Sequence, residues 1–110
     1  MNNTEVVNTT SKHIVKTTGI GSETNQELVD AEKLAEGTDG SKVSLIECYY
    51  LIEGTGTLTI STGSEDLTLT GKGKYGLRPN QLKYGNDKII KLTTDSNVKS
   101  YLLVTEFRRN

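Results

Sequence analysis

A chain of 110 residues makes one domain, long enough to bury a core and too short for two. Its 13 basic and 14 acidic residues are interspersed and leave a net charge of -1, which excludes an electrostatic footprint for nucleic acid and favours a neutral or small polar ligand. No run approaches the roughly 18 apolar residues that cross a bilayer, and the polar first ten residues lack a signal peptide's apolar stretch, so a cytosolic protein without a membrane partner is expected.

Along the chain, Met1 to Thr10 reads as a flexible arm, because beyond Met1 only Val6 and Val7 are available for burial. Such an arm can add an edge strand to a neighbouring subunit. Residues 11 to 110 form the domain. From His13 onward short strand-like segments alternate with glycines at 19, 21, 37, 40, 54, 56, 63, 71, 73 and 85, and turns that frequent imply many short strands. Asn25 to Ala35 carries Leu28, Ala31 and Leu34 at helical spacing among good helix formers, yet its β neighbours and the turn-like Glu36 to Gly40 favour a strand. Val43 to Ile52, rich in β-branched and aromatic residues, is the clearest strand. Thr57 to Ser61 and Asp66 to Thr70 alternate strictly around Thr62 to Glu65, which predicts a hairpin with one wet and one dry face. Lys74 to Arg78, Ile89 to Thr93 and Val98 to Phe107 supply further strands, the last two joined by a turn at Asp95-Ser96-Asn97.

The run Glu47-Cys48-Tyr49-Tyr50-Leu51-Ile52-Glu53-Gly54-Thr55-Gly56 resembles the first signature motif of the cupin superfamily, in which a glutamate precedes Tyr-Val-Leu-Glu-Gly-x-Gly by three residues. Lys74 to Lys83, with Pro79-Asn80, is similar to the second motif. The resemblance spans roughly Leu34 to Phe107 and implies an all-β fold, a small antiparallel jelly-roll (cupin-like) β-barrel, together with a homodimer. The family's metal-binding histidines are missing: their upstream positions fall within Gly40 to Val43 and the downstream one on Lys83. Ectoine synthases, small cupins, are the nearer pattern. Glu47, Tyr75 and Lys83 match the order and spacing of their iron-site glutamate, tyrosine and histidine, with lysine in place of histidine. A protonated lysine does not ligate a metal, so no metal or other cofactor is expected. What the resemblance implies here is the cavity rather than the reaction.

Simple alternation places Val43, Leu45, Glu47, Tyr49 and Leu51 on one strand face and Ser44, Ile46, Cys48, Tyr50 and Ile52 on the other. The resemblance turns the first face inward, making Glu47, Tyr75 and Lys83 candidate acid and base groups and adding Tyr49 as a ligand contact. Each has a plainer reading: a solvated glutamate at the barrel mouth, core tyrosines and a surface lysine. Cys48 packs as a small apolar residue. His13, the single histidine, lies far upstream without a second histidine beside it and is not expected to be catalytic. Three functions stay open on the sequence: a metal-independent lyase, cyclase or isomerase; a non-catalytic binder of a small polar metabolite; and a structural dimeric barrel.

Overall fold

The computed structural model describes residues 1–9, 12–34, 40–62, 66–75 and 84–109. In chain order the strands are β1 (Asn2–Asn8), β2 (Lys12–Ile20), β3 (Glu23–Asp30), β4 (Val43–Gly54), β5 (Leu58–Ser61), β6 (Asp66–Leu69), β7 (Lys72–Tyr75), β8 (Tyr84–Asp87), β9 (Ile89–Thr94) and β10 (Val98–Arg109). A 3-10 turn, Ala31–Lys33, follows β3, and the Asp30 carboxylate caps it by accepting from the Glu32 N–H at 3.1 Å.

All pairings are antiparallel and nested: β2 pairs with β10, β3 with β9, β4 with β7 and β8, and β5 with β6. Nesting of this kind is one long hairpin wound on itself, the jelly roll. The winding closes into two sheets, because β10 also pairs with β4 and β5 also pairs with β9. One sheet runs β1-β2-β10-β4-β7, with β8 on β4, and the other runs β3-β9-β5-β6. The core lies between them. Alternation sorts Val15, Tyr101, Leu103 and Phe107 from the first sheet against Leu58, Ile60, Leu67, Leu69, Ile90 and Leu92 from the second.

The segment expected as a loose arm forms β1, an edge strand paired with β2 of its own chain. Its polar residues suit that edge: Asn3 accepts from the Thr17 hydroxyl at 2.7 Å and donates to the Glu27 carbonyl at 3.3 Å, tying the two sheets at one seam. At another seam the Tyr101 hydroxyl donates to the Glu23 carboxylate, on which the Met1 ammonium also rests at 2.7 Å. Burial, followed by the Glu23 hydrogen bond, pushes the Tyr101 phenol above its ordinary pKa. The strand favoured over a helix at Asn25 to Ala35 is present as β3 up to Asp30, and helical character is confined to the short turn after it. Part of the expected Lys74 to Arg78 strand, Gly76 onward, lies outside the described residues, as do Gly63 to Glu65 of the expected hairpin turn.

Asp95 fastens the turn between β9 and β10. Its carboxylate accepts from the Thr57 N–H at 3.0 Å, the Thr57 hydroxyl at 3.1 Å and the Asn97 N–H at 2.9 Å. The Thr57 N–H first, then that of Asn97, hold this carboxyl below its usual pKa. A depressed folded-state pKa contributes stability above the unfolded value, near 3.9, and loses it as pH falls through the folded value. Thermal melts of Asp95→Asn and wild type are therefore expected to differ most at neutral pH and to converge in strong acid. A gap that widens on acidification contradicts this assignment.

Candidate functional site

The expected site on β4 is rearranged by a single extra residue. Along the β4–β10 pair, Glu106 faces Glu47 while Phe107 faces Leu45, so Ile46 is a bulge. The bulge shifts the phase of everything after it. Val43 and Leu45 point into the core before it, and Cys48 and Ile52 do so after it, with Tyr50 packed against the same cluster. Glu47, Tyr49 and Leu51 consequently lie on the outer face, and not inward as the resemblance implies for an unbroken strand; Tyr49 is half exposed.

On that outer face the Glu47 carboxylate accepts a charge-assisted contact from the Lys74 ammonium at 2.8 Å, and the same ammonium sits 4.7 Å from the centre of the Tyr49 ring. The Glu47 hydrogen bond is the main cause of a raised Lys74 pKa. Glu106 stands beside Glu47 on the neighbouring strand, and Ile14, Glu47, Tyr49, Val104 and Glu106 line a recess of about 220 Å³. Tyr75, opposite Cys48 on β7, is half-buried against the core. Lys83 lies outside the described residues.

Glu47 and Tyr75 are thus brought to adjacent strands but sent to different surroundings. Among the described residues no group of three or more His, Cys, Asp or Glu side chains is placed to hold a metal ion. Cys48 is buried, and that burial pushes its thiol up to about 11, well away from the thiolate needed for nucleophilic chemistry.

A second recess lies at a seam between the two sheets. It has a volume of about 280 Å³ and opens where β1 and β2 of one sheet meet β3 and the 3-10 turn from the other. Glu5, His13, Glu27 and Asp30 supply its polar chemistry, and Val15 and Leu28 are part of its apolar wall. His13 is 4 % exposed and stacks on Phe107, with ring centroids 6.2 Å apart and planes at 25°. Its Nδ1 has no hydrogen-bond partner among the described residues. Burial is the main influence on this imidazole and lowers its pKa, against opposing effects of Glu5 and a backbone hydrogen bond at Val7 and a further lowering by Arg109. Burial disfavours the charged imidazole, and a buried ring nitrogen left unmatched costs about 1–3 kcal/mol.

Sequence reasoning set His13 aside because it has no second histidine nearby. The residues that give it meaning come from β1 and β3, which only the folded seam brings beside it. One local signal was present: His13, Val15 and Thr17 alternate with Lys12, Ile14 and Lys16, which puts the histidine on the dry face of β2.

No protein-family profile matches the chain, and no curated protein matches it. Among solved structures it is similar to a cupin domain from Bordetella pertussis Tohama I, with 12% identity, a TM-score of 0.44, and coverage of 99% of this chain and 92% of that one. No helix among the described residues is long and apolar enough to cross a membrane.

Proposed function

We propose that this jelly roll binds a small polar molecule in the recess lined by Glu5, His13, Glu27 and Asp30. One observation carries the proposal: the almost fully buried His13 ring is part of the recess wall, and its Nδ1, closed to solvent, has no hydrogen-bond partner among the described residues. The volume, about 280 Å³, falls just below the roughly 300–1,000 Å³ typical of small-molecule sites, which points to a small ligand. Acid–base catalysis by Glu47, Tyr75 and Lys83, with Tyr49 as a ligand contact, is the competing proposal, and one experiment separates the two.

A panel of small metabolites is screened by thermal shift on wild type, His13→Phe, Glu47→Gln, Tyr75→Phe and Lys83→Met. A ligand present at a hundred times its Kd stabilises the folded state by about 2.7 kcal/mol, several degrees in Tm for a domain of this size. The shift is expected to persist in the Glu47, Tyr75 and Lys83 variants and to vanish in His13→Phe. The reverse pattern transfers the function to the β4 face, and turnover lost in those three variants establishes catalysis there.

The outer face of the first sheet favours a second, compatible reading, a homodimer. Leu51 is 42% exposed, and beside it Leu102 and Val104 lie half-buried across the β4–β10 pair, an apolar strip on the face away from the core. Its Glu47 is paired with Lys74 inside one copy, which lowers the charge that an approaching identical copy meets. Sedimentation is expected to show a dimer that Leu51→Glu converts to a folded monomer. A wild-type monomer at high concentration removes this reading and leaves the recess proposal intact.

A further inference from the structure

Resting on the recess as the ligand site, the chemistry of its lining narrows the ligand class. Among the described residues, the lining holds three carboxylates, on Glu5, Glu27 and Asp30, one basic side chain, Lys33, and the Asn3 amide, whose N–H is already given to the Glu27 carbonyl. The Lys33 ammonium is 3.9 Å from Asp30 Oδ2 on a side chain 75% exposed, so it hangs in solvent at the rim and forms the kind of pair that holds weakly. Asp30 is already engaged by the Glu32 N–H as the cap of the 3-10 turn. Glu5 and Glu27 are exposed at the mouth on opposite sheets, β1 and β3. Asn3 ties those two strands together through its bond to the Glu27 backbone, which holds the two glutamates on either side of one opening.

Carboxylates accept hydrogen bonds and do not donate them, and the free lone pair of a neutral imidazole does the same. The polar lining is therefore dominated by acceptors with an excess of negative charge. A carboxylate or phosphate ligand would meet repulsion and no donor from these groups, and a neutral polyol would leave the charge uncompensated. A protonated amine supplies both a positive charge and several N–H donors.

We infer that the recess binds a small organic cation, a primary amine or short diamine, with one ammonium between Glu5 and Glu27 and its alkyl chain running toward the His13 ring. Val15 and Leu28 are the apolar walls against which a short alkyl chain packs. The deep end of the site is the imidazole, fixed by its stack on Phe107.

The test uses three four-carbon probes that differ only in their ends: 1,4-diaminobutane, 1,4-butanediol and succinate. Because the chain has a single histidine, its imidazole ¹⁵N resonances need no mutagenesis to assign and report on Nδ1 directly. Diaminobutane is expected to produce a saturable shift of that nitrogen, weakened by added salt. Glu5→Gln combined with Glu27→Gln, both at exposed positions that leave the core untouched, is expected to weaken binding at least about tenfold, which is about 1.4 kcal/mol.

An equal or larger response to succinate or the diol overturns the cation assignment while leaving the recess as a ligand site. Diaminobutane binding that is unchanged in the double variant, or failure of diaminobutane to move the imidazole, also overturns it. If shifts appear instead at Tyr49 and Lys74 with His13 silent, the recess reading falls as well.

Discussion

Replacing Phe107 by alanine is expected to destabilise the fold by about 3–5 kcal/mol, the range for emptying a fully buried phenylalanine position. Phe107 has no exposed surface and belongs to β10, the central strand that pairs with both β2 and β4. Losing it opens the core at the strand that joins the two halves of the first sheet. A domain of this size has about 5–15 kcal/mol in total, so Phe107→Ala is expected to be marginal at 37 °C. Phe107→Leu, which restores much of the volume, is expected to recover most of the loss. Urea denaturation of the two variants measures both effects. A cost below about 1 kcal/mol for the alanine variant would show that the two sheets do not close over this ring. The same substitution removes the surface on which His13 stacks, so ligand binding in Phe107→Leu is expected to weaken by more than its stability.

The second large effect is at the turn after β4. Gly54 has φ of +102°, a backbone conformation that side chains rarely adopt, and a Cβ built there would run into the Asn97 carbonyl oxygen and lie 3.1 Å from the Lys99 nitrogen. At Gly56 a Cβ would collide with the Asp95 carboxylate and come within 2.6 Å of the Val98 nitrogen. These neighbours are backbone and a carboxylate already committed to three hydrogen bonds, so neither gives way cheaply. Gly54→Ala combines strain and overpacking and is expected to cost about 3 kcal/mol or more; Gly56→Ala is expected to cost about 1–3 kcal/mol from overpacking. Gly71 is the control. It has φ of +68° with nothing within 4 Å of the added Cβ, so Gly71→Ala is expected to cost only the left-handed penalty of about 1–2 kcal/mol. Equal losses at Gly54 and Gly71 would mean that the packing of the two turns contributes nothing beyond backbone strain.

Those turns were also where the sequence was most readable. Glycine spacing and the strict alternation of Leu58-Thr59-Ile60 and Asp66-Leu67-Thr68-Leu69 disclosed an all-β chain and the β5–β6 hairpin, and the cupin-like motif supplied the jelly roll that nested pairing displays. Period-2 reasoning failed at Ile46. A bulge is a property of two strands in register, Glu106 on Glu47 and Phe107 on Leu45, and composition along one strand does not encode it. That single residue decides whether Glu47 faces a cavity or Lys74. The pairing of Asn2–Asn8 was hidden for a related reason: an edge strand needs few apolar side chains, and Asn3 contributes through hydrogen bonds to Thr17 and Glu27 that lie far away in sequence. The recess at His13 was illegible for the same cause, since its walls come from three strands and a 3-10 turn that meet only on folding.

The central claim is that the ligand sits beside His13 and not on the Glu47 face. Backbone amide and imidazole shift mapping, with the small-metabolite panel added to ¹⁵N-labelled protein, tests it directly. The account predicts that a bound molecule moves the resonances of Glu5, His13, Glu27 and Asp30 together. Shifts confined to Glu47, Tyr49, Lys74 and Tyr75, with the His13 ring unmoved at saturation, would contradict it.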